Sequence, residues 1–359
     1  MSMDLLYDRA TLQQVLDRTK RPYTHLRDTF FSNVIEHQTE HFGFDVVKGG
    51  EQIAPFVHPE IGGKMLDKTG YETKIFTPPE VSPEKIITSK DVQSRLAGEQ
   101  INSRDSIDTR QRRQVVRFLR ELDWSISRRE EIMCAEIMTT GKLTIEGDGY
   151  PRRVLNFWDQ LSPAEQPYVD IGAVDSTRYW DEANANIIDD LIDAADRVED
   201  NSNASARMVY LGAGAAAAFR ANKTLWEKMD NRRINPGELA TRRLGGGVRY
   251  LGTLLDSGLE VYTYRGHYRD PAAGLRKPLI PDNLAVVGSP EVRTSMNYGL
   301  ITLNDGPEGD FYEVARSRVP DSWMQRKKPA GRILQIKSRP MPVIEDLDGF
   351  LVLKVLGGS

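Results

Sequence analysis

Residues 104–140 constrain this chain more than any other stretch. Val115, Leu119, Leu122, Ile126, Met133 and Ile137 recur at helical spacing and set an apolar stripe down one side of an α-helix. Gly141 supplies the stop. Some thirty residues of helix measure roughly 45 Å, whereas helices in globular domains average three to four turns. Such a rod is unusual in a compact enzyme domain. Arg110, Arg112, Arg113, Arg117, Arg120, Arg128 and Arg129 alternate with Glu121, Glu130 and Glu131 around the rest of the helix. They read as a solvated charged face, with contact to nucleic acid as the other use of such arginines.

The overall charge speaks against a dedicated nucleic-acid binder. Lys and Arg number 48 against 52 Asp and Glu, without the basic excess that neutralises phosphates. With 39% hydrophobic and 28% charged residues, the chain is apolar enough to fold. Its 359 residues allow one long domain or two to three compact ones. The single cysteine, Cys134, excludes an intrachain disulfide framework and a multi-cysteine zinc site, and its place in the helix suits a small buried hydrophobe. The N-terminus lacks the basic and apolar regions of a secretory signal. The longest uncharged apolar run, Met208–Phe219, is shorter than the roughly 18–20 residues of a membrane helix, so a soluble protein is expected.

The first forty residues read as an arm. Thr11–Leu16 fits a short helix with Leu12, Val15 and Leu16 on one side, and Tyr23, Phe30 and Phe31 follow without a period. Such a segment must pack on something else to be ordered. In residues 51–90, prolines and glycines punctuate two extended runs, Ile53–Ile61 and Tyr71–Val81, predicting a long β-hairpin. A hairpin of this kind is marginal alone, and a neighbouring subunit is a natural partner for it. After the long helix come a strand pair (Lys142–Ile145, Val154–Phe157), a polar stretch at 162–180 and a helix over 183–198 with Ile188, Leu191, Ile192 and Ala195 inward. A denser α/β pattern follows: strand Met208–Leu211, helix Ala215–Met229, and strands Leu259–Tyr264, Leu284–Val287 and Gly299–Leu303. Extended segments Arg332–Ile336, Pro342–Ile344 and Phe350–Leu356 close the chain.

Two short patterns imitate active sites. His37-Gln38-Thr39-Glu40-His41 has the inverted zincin spacing, which requires a helix to bring both imidazoles to one metal. The residues from His41 to Val46 alternate as a strand does, and on a strand side chains four apart are separated by about 13 Å. Gly212-Ala213-Gly214-Ala215-Ala216-Ala217 fits a dinucleotide fingerprint at a strand-to-helix junction. No second strand ending in an acidic residue follows it, and close packing at a tight junction explains the small residues equally well. No catalytic, cofactor or metal site is expected.

The order of arm, extended loop, very long helix and α/β region resembles the Hong Kong 97-like viral capsid fold, an α+β architecture. Pro55-Phe56-Val57-His58-Pro59 with Gly62, then Phe76-Thr77-Pro78-Pro79 and Val81-Ser82-Pro83, resemble the extended-loop region of the lambda-type phage major capsid (head) protein family. Pro281-Asp282-Asn283, Val286, Gly288, Arg293 and Tyr298-Gly299 are similar to its late α/β segment. Arg318, Pro320, Trp323, Ser338, Pro340, Asp346, Asp348 and Phe350 are similar to its C-terminal segment.

The resemblance implies an arm at 1–50, an extended loop at 51–90 and a peripheral domain at 91–203 with its spine helix at 104–140. It further implies an axial domain at 204–300 and C-terminal strands at 301–359 that return to both sheets. It implies a non-enzymatic subunit of a tailed-phage head, built from hexamers and pentamers around double-stranded DNA, made in the host cytoplasm and resident in the virion. Partners would be other copies of the chain, a scaffolding protein, a portal and a decoration protein, with no membrane and no cofactor. Gly62, Gly63, Lys64, Lys68 and Gly70 of the loop are candidate intersubunit contacts. An encapsulin-like bacterial compartment shell is the alternative on the same fold. Some shells of this fold weld a loop lysine to a neighbour's asparagine, and Lys64, Lys68, Asn297 and Asn304 supply those residue types. Asp67 favours the charged, unreactive ammonium, and the lambda-type family relies on non-covalent contacts, so no isopeptide bond is expected.

Overall fold

The long helix runs from Ile107 to Thr140, 34 residues and about 51 Å. Ser106 caps its start, its hydroxyl accepting from the Thr109 N–H at 3.3 Å. Gly141 ends it in the left-handed conformation (φ 62°), where a side chain would also strike the Trp158 ring. The fold is a computed structural model that describes residues 6–47, 71–93 and 106–357, apart from 148, 160, 164, 183–184, 203, 223–242, 255–256, 271–273, 305–310 and 327–328.

The helix joins two apolar clusters. Val115, Leu119, Leu122 and Ile126 pack with Leu12 and Leu16 of the arm helix Arg9–Arg18, and with Ile87, Leu334 and Ile336. Met133, Cys134, Ile137 and Met138 lie in a larger cluster with Phe30, Phe31, Tyr210, Met296 and Met341. Phe30 and Phe31 thus find their core in the body of the molecule, as a segment without its own must. A five-residue helix, His25–Thr29, precedes them.

A mixed seven-stranded sheet forms the centre, in the order Tyr168–Asp170, Phe350–Lys354, Leu284–Gly288, Met208–Leu211, Glu260–Tyr264, Val248–Thr253 and Arg243–Gly245. Its strands obey the two-residue period on both faces. Tyr210, Val286 and Val352 point to the cluster of the long helix. Val209, Leu211, Ala285, Val287, Leu351 and Leu353 point to the helix Ile187–Ser202, through its Ile187, Ile188, Leu191, Ala194 and Val198. Apolar residues on both faces explain why these strands read as continuous runs. Two three-stranded sheets and four two-stranded pairs accompany it among the described residues. One three-stranded sheet pairs Val319–Gln325, Gly331–Lys337 and Glu84–Ile87; the other pairs Val34–Glu36, Thr294–Tyr298 and Pro340–Ile344.

The extended pair is described in part. Tyr71–Phe76 is a strand, and it pairs antiparallel with Phe42–Val47, the run whose alternation argued against a helical zinc motif. The other expected partner, Ile53–Ile61, lies outside the described residues, as do Gly62, Gly63, Lys64, Lys68 and Gly70. Beyond Val81, which bridges to Ser338, the chain rejoins the C-terminal sheet at Glu84–Ile87. The helix expected over Ala215–Met229 is described as Ala213–Ala221, and residues 223–229 lie outside the described part. Thr294–Tyr298 is an additional strand, and the next begins at Ile301.

Leu122 is 2% exposed, at the centre of the arm-side cluster. Leu122→Asp forfeits about 1.5–3 kcal/mol of burial and adds the desolvation of a charge. The variant is expected in the insoluble fraction on expression. A soluble, helical Leu122→Asp protein would contradict the packing.

Candidate functional site

The apolar stripe of the long helix skips one turn between Ile126 and Met133, and Glu130 occupies the core position it leaves. Asp123, Ser127, Glu130 and Glu131 are all buried there. Glu130 is 1% exposed and meets Arg318, just ahead of the strand Val319–Gln325 and itself 3% exposed. Arg318 donates from Nη1 to Glu130 Oε1 at 2.8 Å and to Ser338 Oγ at 3.0 Å, and from Nε to Asp123 Oδ1 at 3.0 Å. Tyr298 donates its hydroxyl to the same Glu130 oxygen at 2.7 Å, and Arg27 Nε of the arm lies 3.2 Å from Glu130 Oε2.

Glu131 works on the arm in a different way. Its carboxylate accepts from the backbone N–H groups of Leu26 (2.9 Å) and Arg27 (3.0 Å), at the open start of the His25–Thr29 helix, and from the Tyr264 hydroxyl at 2.7 Å. These amides have no partner within their own helix, so a side chain more than a hundred residues away supplies one. His25 sits under a roof of tyrosines, hydrogen-bonded to the Tyr210 hydroxyl at 2.8 Å and to Tyr23 on the arm itself. Tyr210 stacks on Tyr262 with centroids 5.4 Å apart. Arm, long helix, seven-stranded sheet and C-terminal strands therefore meet at one polar junction.

The electrostatics follow from burial and pairing. Burial opposes the charge on Glu130, but the cations of Arg318 and Arg27 outweigh it and hold the carboxyl below its ordinary range. Burial drives Glu131 the other way, up, against its three hydrogen bonds. Burial lowers His25 to about 4, with Asp28 pulling weakly upward. Burial raises Tyr298 to about 12, helped by the charge of Glu130. Cys134 is fully buried, and burial followed by the charges of Glu131 and Glu130 lifts its thiol well above the ordinary range. It is the inert core thiol that its position in the helix suggests.

The two enzyme-like patterns come apart. His37 hydrogen-bonds Asn297 Oδ1 at 2.7 Å and stacks on Phe42, whereas His41 turns to Thr77 Oγ1 at 2.7 Å. Glu40 pairs with Arg339. At the other pattern, a Cβ on Gly212 would lie 2.0 Å from the Pro281 carbonyl oxygen, and the Ala215 N–H donates to the Asp282 carbonyl. Backbone of the 281–282 turn occupies the place a pyrophosphate would take. Among the described residues no group of three or more His, Cys, Asp or Glu could hold a metal ion. Asn297 is 4% exposed, and its amide donates to Ser295.

Charge alone puts Glu130 and Glu131 on the solvated face; both are interior. The skipped turn in the stripe is the available signal. Arg318, Ser338 and Tyr298 stand among the residues that carry the family resemblance, and the structure brings Arg318 and Tyr298 to Glu130, with Ser338 holding Arg318. The same family emerges from sequence comparison, where the family described as Phage major capsid protein E matches residues 8–355. The chain belongs to that family. The family is a structural one, and the fold is the Hong Kong 97-like α+β capsid fold. The major capsid protein of Escherichia phage lambda is 26% identical over 329 residues, covering 91% of this chain and 92% of that protein. The major capsid protein of Enterobacteria phage phi80 is 27% identical over 330 residues, covering 91% and 92%. A crystal structure assigned to a prophage capsid protein of Escherichia coli CFT073 superposes with a TM-score of 0.71 at 22% identity, covering 97% of this chain and 99% of that one.

Two changes test the capsid-fold junction. Arg318→Met leaves Asp123 and Glu130 buried without their main cation, and a loss of about 3–5 kcal/mol is expected in urea denaturation. Adding Asp123→Leu and Glu130→Met to it removes the orphaned carboxylates and should recover part of that loss, with Arg27 and the Tyr298 hydroxyl then short of an acceptor.

His25 predicts an acid dependence. Above pH 6.5 its imidazole is neutral in folded and unfolded chains alike; between 6.5 and about 4 only the unfolded chain takes up the proton. Stability therefore falls on acidification through that window, by up to roughly 3 kcal/mol, and levels off below it. The difference in urea midpoint between wild type and His25→Gln should shrink from pH 7 to pH 4. A constant difference would count against it.

Proposed function

We propose that this chain is the subunit of a tailed-phage head, assembling as hexamers and pentamers into an icosahedral shell around double-stranded DNA. The match to the capsid family from residue 8 to residue 355, almost the whole chain, carries this reading. In it, residues 1–50 are the arm, 51–90 the extended loop, 91–203 the peripheral domain, 204–300 the axial domain and 301–359 the returning strands. The strand pair Phe42–Val47 with Tyr71–Phe76 supports a loop whose base begins earlier than residue 51. Assembly takes place in the host cytoplasm with a scaffolding protein and a portal. The curated relatives are phage major capsid proteins matched over nine-tenths of their length, which favours a genome container over an encapsulin-like compartment.

Subunit contacts are non-covalent in this reading. The buried, hydrogen-bonded Asn297 supports it, because a neighbour's lysine cannot reach that amide without unpicking the sheet. Electron microscopy of chain expressed with a scaffolding protein should show closed shells, and these should run as one band near 40.5 kDa after boiling in detergent. Deleting Gly62–Gly70 should abolish the shells while leaving the circular dichroism of the subunit intact. Shells loaded with a cargo protein, or a ladder of covalent multimers, would overturn the corresponding part of the proposal.

A further inference from the structure

The arm helix and the long helix enclose a groove of about 580 Å³ whose rim is cationic. Arg18, Lys20 and Arg21 approach from the arm and Arg120 from the long helix, with Val116 and Trp124 between them, and among the described residues no carboxylate lines it. None of these four cations has an ion-pair partner among the described residues. Elsewhere the fold spends its arginines on carboxylates, as Arg27, Arg318 and Arg339 show. In a chain of net charge −4, four unpaired cations around one groove are a local excess that folding does not require.

We propose that this groove is where the shell wall touches the phosphate backbone of the packaged duplex. The inference rests on the capsid reading above and adds to it the face of the subunit that meets the genome. Cations continue along the helix beyond the groove: exposed Arg128 lies eight residues from Arg120, about 12 Å further on. A row of separated cations suits a continuous line of phosphates, which in a duplex carries one charge per about 1.7 Å of axis. An acidic peptide would need an apolar anchor to be held specifically, and the apolar wall here is limited to Val116, Trp124 and Val15. Few contacts per subunit also agree with an acidic container. Each is weak, salt-sensitive and blind to sequence, so the wall orders DNA without retaining it.

The test uses the soluble full-length chain and a short fluorescent DNA duplex, with anisotropy followed against salt. Arg18→Gln/Arg21→Gln/Arg120→Gln should lower the salt slope of binding by roughly 2–3 and weaken low-salt affinity at least tenfold. Arg120→Lys alone should bind like wild type. Lys20 should be shielded from acetylation by the duplex, as read by mass spectrometry. The variant's urea midpoint and its shell formation, scored by microscopy, separate a groove effect from misfolding and from failure of the capsid reading itself. An unchanged salt slope in the triple variant, an unshielded Lys20, or polyglutamate binding more tightly than DNA through the same residues would overturn the proposal.

Discussion

The ion pair between Glu130 and Arg318 is the contact on which the rest of the architecture depends. A carboxylate at a core position of the long helix is tolerable only if a cation and further donors meet it there, since an isolated buried charge costs several kcal/mol. Arg318 can meet it only when the chain from 318 to 338 lies across the helix, and Arg27 only when the arm crosses at the same level. One buried charge therefore fixes the mutual position of three segments far apart in sequence. Apolar packing alone, with its tolerance for sliding, would define that position less sharply.

Glu131 shows the same logic applied to a segment without a core. The arm cannot bury enough apolar surface within itself to be ordered, so it borrows a cap for its short helix from the long one and a cluster for Phe30 and Phe31. The seven-stranded sheet sits between both demands. One face presents Tyr210 and Tyr262 to the arm and long helix, and the other offers small aliphatic residues to the helix Ile187–Ser202.

Much of this is legible in the sequence wherever periodicity decides. The long helix, its glycine stop, the helix after residue 183, strand Met208–Leu211 and the final strands stand close to where spacing puts them. What escapes is long-range by nature. Glu130 looks solvated because charge is ordinarily external, and only its distant partner Arg318 makes an interior position tolerable. The helix His25–Thr29 is too short to announce itself, and its cap comes from Glu131. Tyr71–Phe76 is a legible strand, but its pairing with Phe42–Val47 is announced by neither run. Local pattern identifies strands but not partners.

The strand Phe350–Lys354 is second in the central sheet, hydrogen-bonded to Leu284–Gly288 on one side and Tyr168–Asp170 on the other. Its flanking strands leave the ribosome well before it does. Until it arrives, Val286 and Val287 present an open edge, and the helix Ile187–Ser202 lacks the Leu351 and Leu353 half of its seat. A nascent chain is in effect an unlocked part until this strand, made after both of its neighbours, turns the key. The central sheet and the helix packed on it thus close in one late step, and a chain short of residue 350 has neither in its finished form.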